Sequence, residues 1–404
     1  MSSSAPIAIP VIDIRGYLSD DKSATTSIIS SISSAAQSPG FLQITGHGIA
    51  PELTTRLLDR LKAFFALPIE KKTALHRNNS AALRGFEAVG EQSLEKGVMD
   101  SKEGFMIGPD WEPENAKNAR FLQGPNQWPA ETDVVGLRVV MMDYFREMQA
   151  LSKTMFRLIA LGLGLEESYF DEFVGSEDSI TMCRAHRYPP TTPEMSEKSR
   201  GIGAHTDFGA LTLLLQDTIG GLEVFHRPTE TWHPVQPVDG AFVVNIGDML
   251  ERWTNNKYTS TLHRVISPVS NQYRYSVAFF NEGLLDQMIE CIPTCLEPGQ
   301  KALYEPVKVE QHLRERQAQN NRYRHMRISM RKPDSAFAQY NGAQSGDPVK
   351  EVTIIYDVIT STGVAAGKEL LEFLLRSDAS TKIAEGAQKV IAVVNESGGD
   401  VLVL

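Results

Sequence analysis

The chain has few cysteines for its length. Three occur in 404 residues: Cys183, Cys291 and Cys295. A small, odd set does not suit a disulfide framework and indicates a reducing, cytoplasmic environment. Cys291 and Cys295 are spaced C-x3-C, but no second Cys or His pair accompanies them, so the spacing does not favour zinc.

Long apolar runs and a surplus of positive charge are also missing. The apolar run 158–165 covers only about eight residues, whereas a membrane-spanning helix needs about 20. No basic stretch leads into an apolar segment at the beginning, so we expect neither a secretory signal nor a membrane span. Lys and Arg number 40 against 50 Asp and Glu, a net charge of −10, which disfavours nucleic-acid partners. These absences leave an ordinary soluble enzyme as the expectation, and the oligomeric state stays open.

The pattern of apolar residues changes along the chain. The first hundred residues mix strand patterns, at Ile9–Ile14 and Phe41–Thr45, with a helical pattern from Leu53 to Phe65. Apolar residues then recur in steps of three and four from Leu137 to Ile159, which predicts a long amphipathic helix ended by glycines 162 and 164. After about residue 180, short apolar runs recur every eight to twelve residues or so, as in a β-sandwich or jelly roll. These runs are 211–215, 222–225, 232–235, 241–246, 262–266 and 275–280.

A set of metal-ligating residue types lies within the β region. His205 and Asp207 are two positions apart, so on a strand edge they would project to the same side. Two histidines and one carboxylate form the facial triad of non-haem Fe(II) oxygenases, which leaves coordination positions open. His263 lies on a later predicted strand, and in a jelly roll such a strand can return beside the first. The three residues therefore predict an iron site.

A second pair follows the distal histidine. Arg274 and Ser276 again share one face of a predicted strand. A guanidinium binds a carboxylate through two parallel hydrogen bonds, and a neighbouring hydroxyl adds a third. A short dicarboxylic acid could thus chelate iron at one end and be anchored at the other.

These motifs, in this order, resemble a known family. His205-Thr206-Asp207, His263 and Arg274-Tyr275-Ser276 are similar to the motifs of iron- and 2-oxoglutarate-dependent dioxygenases of the isopenicillin N synthase-like superfamily. Gly46-His47-Gly48 and Arg187-Tyr188-Pro189-Pro190 fit the same pattern. Asn245-Ile246-Gly247-Asp248 resembles the fungal members labelled thymine-dioxygenase-like. The resemblance covers roughly residues 8 to 325.

The resemblance implies an α+β fold that is mainly β. Its centre would be a double-stranded β-helix, or jelly roll, flanked by helices, with the long helix packed on the sheet. The implied organisation has a mixed α/β region at 1–130, then the long helix and catalytic core at 131–325, with the oxygenase domain at about 178–285. The remaining residues, 326–404, form an extension that the family pattern does not include and whose role the sequence leaves open.

The resemblance also implies roles for particular residues. The iron ligands would be His205, Asp207 and His263, and 2-oxoglutarate would be held by Arg274, Ser276 and Tyr188. Many members have Asn two residues before this Tyr, whereas here the residue is His186. The implied reaction uses O2 to convert 2-oxoglutarate to succinate and CO2 while a small metabolite is hydroxylated or desaturated, with secondary metabolism as the expected setting. The resemblance also implies candidate substrate-pocket residues, although each is more typical of a plain core: Phe86, Phe105, Leu213 and Phe280.

Other functions fit part of the pattern. One alternative is an oxidase of the same fold that does not use 2-oxoglutarate, or a member that fragments it to ethylene. A second is a catalytically silent jelly-roll binding protein descended from such an enzyme. Succinate release and metal content distinguish these from the leading hypothesis.

Overall fold

The computed structural model describes residues 9–92, 94–95, 99–111, 120–193, 196, 199–267 and 269–318, all within the compact unit Met1–Gln319. The extension at 326–404 lies outside the described residues. The strands are, in chain order, β1 (Val11–Asp13), β2 (Phe41–Thr45), β3 (Gly85–Glu87), β4 (Met99–Asp100), β5 (Glu103–Ile107), β6 (Ser179–Tyr188), β7 (Ser199–His205), β8 (Leu211–Gln216), β9 (Leu222–His226), β10 (Thr231–Pro234), β11 (Phe242–Ile246), β12 (His263–Ile266), β13 (Arg274–Leu284), β14 (Met288–Ile289) and β15 (Val307–Lys308).

Two larger sheets form the centre. The major sheet has the order β1-β2-β11-β8-β13-β6-β5-β3, and the minor sheet has the order β10-β9-β12-β7-β4. Most neighbours are antiparallel, while β1 with β2 and β4 with β7 are parallel. β14 and β15 form a separate pair. The predicted strands between 211 and 280 are all present, shifted by a few residues at their ends.

Helices cover the outer face of the major sheet. They are α1 (Arg15–Leu18), α2 (Lys22–Gln37), α3 (Pro51–Phe65), α4 (Ile69–Thr73), α5 (Leu137–Gly162), α6 (Asp171–Gly175) and α7 (Asp248–Trp253), with 3-10 turns at Arg77–Asn79 and Pro293–Cys295. Residues 309–318 are also helical. Among the described residues, no helix is both long and apolar enough to cross a membrane.

The long helix confirms the predicted periodicity. Its core-facing side chains recur in steps of three and four, so one side of the helix is buried and the opposite side is exposed to solvent. Phe145 on α5 packs edge-on against Phe279 on β13, with ring centroids 5.4 Å apart. The helix ends at Gly162, and Gly164 then adopts a left-handed backbone with φ of 73°, which glycine reaches without steric cost. The helix therefore packs on the sheet, as the sequence predicts.

Successive side chains of the major sheet point alternately into two separate apolar regions, one on each face of the sheet. Leu211, Leu213 and Leu215 of β8 belong to the large core beneath the helices. The alternate residues face the other way, towards a smaller apolar cluster that draws on both sheets, with Phe41 and Val243 from the major sheet and residues such as Val265 from the minor one. Two facing sheets around a narrow interior are the predicted jelly-roll arrangement, although the sheets do not close. The candidate site lies in this narrow interior.

Candidate active site

Three predicted ligands converge between the sheets. β7 ends at His205 and β12 begins at His263, and the two residues are register partners. Their ring centroids lie 4.3 Å apart. Asp207 Oδ1 is 3.7 Å from Nε2 of each histidine. One donor atom from each residue fits within 4.8 Å of the others, so the group can hold a metal ion.

The expected placement of Asp207 on the strand with His205 is wrong. β7 ends at His205, and Asp207 lies in the following loop. The loop is fixed because the carbonyl of Asp207 accepts a 2.8 Å hydrogen bond from the amide of Asp248, at the start of α7. A Cβ on Gly247 would lie only 2.2 Å from the carbonyl oxygen of Gly209, so the close approach of the two segments requires glycine. A turn, and not strand alternation, therefore directs the carboxylate.

Neighbouring groups orient each ligand. Asp207 Oδ2 accepts hydrogen bonds from Thr212 Oγ1 at 2.6 Å and Asn245 Nδ2 at 2.7 Å, which leaves Oδ1 directed at the histidines. Nδ1 of His205 lies 2.8 Å from the carbonyl of Gly203, and Nδ1 of His263 lies 3.0 Å from that of Thr261. A carbonyl accepts only, so each Nδ1 carries the proton and each Nε2 presents a lone pair.

The electrostatics favour the charge states that a metal needs. Burial and the adjacent His263 lower the pKa of His205 to about 3. Burial alone raises the pKa of Asp207, yet His263, His205 and the hydrogen bonds from Asn245 and Thr212 bring it below its ordinary value. At neutral pH the site therefore offers a neutral imidazole at His205 and an ionised carboxylate at Asp207, the forms that bind metal.

Arg274, Ser276 and Tyr188 also meet in this interior. β13 and β6 pair so that Arg274 faces Tyr188 in register. The Tyr188 and Ser276 hydroxyl oxygens lie 3.3 Å apart, and the Arg274 guanidinium stands 4.7 Å from the centroid of the Tyr188 ring. Arg274 is fully buried, and its Nη2 donates to Gln216 Oε1 at 3.2 Å. Its Nε and Nη1 have no hydrogen-bond partner within the described part of the chain, so the guanidinium suits a carboxylate.

The four candidate pocket residues divide between the two interiors. Phe86, Phe105 and Leu213 are fully buried in the large core beneath the helices. Phe105, for example, packs 4.3 Å from Phe64 of α3, centroid to centroid. The structure therefore does not bring these three together with the triad. Phe280 alternates in step with Ser276 along β13, and so shares its face of the sheet.

Three supporting residues were not identified as site residues from the sequence. Thr212 and Gln216 alternate along β8 on the interior face, and Asn245 enters from β11. Thr212 and Gln216 are the two polar residues of an otherwise apolar strand and lie four positions apart, on one face, which is the signal that would have found them. Asn245 was part of a recognised motif, but its contact with Asp207 depends on strand order and is not readable from spacing.

Family models match two stretches of the chain. Residues 9–131 match the family described as non-haem dioxygenase in morphine synthesis N-terminal. Residues 178–283 match the 2OG-Fe(II) oxygenase superfamily. The second match contains every residue of the triad and the Arg274 pair.

Fungal oxygenases are similar over most of the chain. A 2-oxoglutarate-Fe(II) type oxidoreductase of Emericella nidulans is 40% identical over 315 residues, covering 77% of this chain and 89% of that protein. Clavatol oxidase of Penicillium crustosum is 34% identical over 330 residues, covering 78% and 97%.

Solved structures show the same fold. The full-length thymine-7-hydroxylase of Neurospora crassa in complex with alpha-KG superposes with a TM-score of 0.69 at 32% identity, covering 78% of this chain and 98% of that chain. The same protein in complex with alpha-KG and thymine gives a TM-score of 0.69 at 30% identity, covering 78% and 98%. These matches confirm the jelly-roll fold and the resemblance drawn from the motifs.

Proposed function

The chain belongs to the 2-oxoglutarate- and Fe(II)-dependent oxygenases, and on that premise we propose that His205, Asp207 and His263 hold the iron. Membership makes the chain an oxidoreductase: 2-oxoglutarate and O2 give succinate and CO2 while a small molecule is hydroxylated or desaturated. Fe(II) held by these three residues would supply the O2 chemistry. We further propose that Arg274, with Ser276 and Tyr188, binds the distal carboxylate of 2-oxoglutarate.

One observation carries the cosubstrate assignment. Arg274 is fully buried with two donor atoms, Nε and Nη1, that no described residue accepts from. A buried cation without a counter-charge is costly, so its retention in the interior between the sheets is explained by an anionic ligand. A 2-oxoglutarate-dependent reaction accounts for this anion, because the keto acid carries a second carboxylate that the guanidinium would bind.

The chain's own residues orient the proposed iron ligands and exclude water from the interior. Thr212 and Asn245 fix the Asp207 carboxylate, and the backbone carbonyls at Gly203 and Thr261 fix the imidazole rings. Such outer contacts commonly change metal affinity or activity by about 10- to 100-fold. The apolar cluster between the sheets keeps water from the interior, which strengthens the electrostatic interactions there.

We propose a small-molecule metabolite of secondary metabolism as the substrate, which the names of fungal relatives such as clavatol oxidase support. Phe280 remains a proposed pocket residue. Residues 1–130 and 131–325 are proposed to form one catalytic unit, with 326–404 as an extension. All three cysteines are free, which supports a cytoplasmic location, and the net charge of −10 supports the absence of a nucleic-acid partner.

Succinate release tests this proposal. Wild-type protein supplied with Fe(II), 2-oxoglutarate and O2 is expected to release succinate, and His205→Ala and Asp207→Ala are expected to abolish both release and iron binding. His226→Ala is the matched control, because His226 bonds to Thr229 on the minor-sheet side and its replacement should leave both unchanged. Substrate turnover without added 2-oxoglutarate would overturn the proposal in favour of the oxidase.

A further inference from the structure

A second group of charged side chains is buried between the sheets, beside the triad. It consists of Glu87, Gln92, Asp100, Lys102, Arg184 and His186, and is called the Lys102 cluster below. Four of its members are less than a tenth exposed: Lys102 at 2%, Glu87 at 5%, Asp100 at 0% and His186 at 4%. Charged residues at this depth are rare unless they are paired or functional.

Direct contacts tie the cluster together. Lys102 Nζ donates to Gln92 Oε1 at 2.6 Å and lies 3.5 Å from Glu87 Oε2. Arg184 Nη2 donates to the same Gln92 oxygen at 3.2 Å and pairs closely with Glu87. Arg77 also pairs with Glu87, at 2.7 Å. Three cations therefore share a single carboxylate.

Strand register places the cluster on the site's face of the major sheet. His186 pairs with Ser276 and Arg184 pairs with Ala278, so both lie on the face that carries Arg274. Gly104 on β5 pairs with His186 in register, so the neighbouring strand packs against this part of the cluster.

The cluster also contacts the strand of the first metal ligand. Asp100 Oδ1 accepts a 3.0 Å hydrogen bond from the amide of Gly203. The carbonyl of Gly203 in turn lies 2.8 Å from Nδ1 of His205. One residue, Gly203, thus links Asp100 of the Lys102 cluster to His205 of the triad.

Two buried polar atoms of the cluster have no hydrogen-bond partner in the part of the chain that the structure describes. Lys102 and Arg184 both lie against Glu87, the carboxylate that holds them in place. Among the described residues, His186 Nε2 and Asp100 Oδ2 have no hydrogen-bond partner. Unpaired buried polar atoms of this kind are few in folded proteins and indicate an absent partner.

Next to the cluster, the same face of the major sheet becomes apolar. Phe280 and Met182 are register partners, one step beyond Ala278 and Arg184. A ligand that spans this boundary would have a charged or polar end and an apolar body. The alternative is a purely structural role, in which the cluster only fixes the segment carrying Gln92 and Lys102.

We propose that the Lys102 cluster binds an anionic oxygen of the primary substrate, such as a carboxylate or an ionised phenol. Lys102 and Arg184 supply the positive charge, and His186 supplies a hydrogen-bonding atom at Nε2. The inference rests on the proposed function, since it places the substrate beside the iron ligands. It makes the charged end of the substrate, and not only its shape, the basis of selection.

Equilibrium binding of simple probes tests the inference. Benzoate and phenylacetate, each beside its neutral amide, are titrated anaerobically into protein loaded with Fe(II) and saturating 2-oxoglutarate, so that the Arg274 anchor is filled. Wild type is expected to bind each acid at least about tenfold more tightly than its amide, the size expected for a charge-assisted hydrogen bond. Lys102→Met and Arg184→Met should remove that preference, and Arg184→Lys should restore part of it.

Controls separate this inference from the proposed function and from misfolding. Arg264→Met removes a cation that pairs with Glu223 and lies 4.0 Å from the Trp232 ring centroid on the minor sheet, and should keep the preference. Equal binding of acid and amide by wild type, or a preference that survives in both Met variants, would overturn the inference. The proposed function fails differently, through loss of 2-oxoglutarate binding and succinate release in wild type.

Discussion

Replacing Arg274 with Met removes the proposed cosubstrate anchor and keeps a side chain of similar length. In wild type the guanidinium is fully buried and donates to Gln216 through Nη2, while Nε and Nη1 have no hydrogen-bond partner among the described residues. Hydrogen bonds to charged groups contribute about 1.5–3 kcal/mol each. Losing two of them costs about 3 kcal/mol or more, which corresponds to a rise of at least about 100-fold in the Kd for 2-oxoglutarate.

The same variant makes an opposite prediction for stability without ligands. A buried, unpaired cation destabilises the fold, so Arg274→Met should melt no lower than wild type when 2-oxoglutarate and iron are absent. Wild type should gain melting temperature on adding 2-oxoglutarate, because a ligand that binds only the folded state stabilises it. The variant should lose that gain.

Calorimetric titration of 2-oxoglutarate into the Fe(II)-loaded protein, without O2, measures the Kd. Arg264→Met serves as the matched control, since it removes a paired cation from the minor sheet. The account is refuted if Arg274→Met changes the Kd by less than about threefold, under about 1 kcal/mol, or if Arg264→Met weakens binding as much.

Three further predictions concern the support of the site and of its surroundings. Asn245→Ala removes one of two donors to Asp207 Oδ2 and should weaken Fe(II) binding by about 10- to 100-fold, measured by metal titration; unchanged affinity would contradict this support. Arg316, on the helical segment 309–318, pairs with Asp248 and donates a 3.0 Å hydrogen bond to Thr206 Oγ1. Arg316→Ala removes both contacts and should weaken Fe(II) binding. Arg314→Ala, on the same segment but 55% exposed, should leave Fe(II) binding unchanged. Burial alone would raise the pKa of Glu87, but the positive charges of Arg184, Lys102 and Arg77 hold this pKa well below the ordinary 4.5. The ion pairs of Glu87 therefore contribute fully to stability above pH 4.5, and this contribution is lost as the pH falls through the lowered pKa. Glu87→Gln should show a shallower loss of stability in acid denaturation, and an unchanged slope would refute this role.

Much of the fold is predictable because its core pattern is strong. The stripe of α5 follows the helical period, and Leu211, Leu213 and Leu215 of β8 alternate towards the large core. α2 was not predicted, because its buried residues Ile28 and Ile32 stand among serines and threonines of low helix propensity. Asp21 caps that helix through hydrogen bonds to two amides, and packing on the core stabilises it despite its composition.

β6 was missed for a reason connected with function. Its interior face carries Arg184 and His186, where a hydrophobic pattern would have shown apolar residues. The ion pair between Arg184 and Glu87 makes a charged side chain acceptable there. The strand that the pattern hides is therefore one of the strands that contribute to the Lys102 cluster.

The sequence predicts which residues meet at the candidate site but not the geometry in which they meet. His205, Asp207 and His263 follow from residue type and order, and Arg274 with Ser276 from strand spacing. The loop position of Asp207 depends on a hydrogen bond to α7 and on close contact at Gly247. Contacts between segments far apart in sequence leave no periodic signal.

The anaerobic visible spectrum of the protein with Fe(II) and 2-oxoglutarate tests the central claim most directly. A keto acid chelated to Fe(II) gives a weak metal-to-ligand charge-transfer band, which requires iron and cosubstrate to meet in one site. Wild type and His226→Ala are expected to show the band, while His205→Ala and Asp207→Ala are expected to lack it. Absence of the band in wild type, or an unchanged band in the His205 and Asp207 variants, would contradict the assignment.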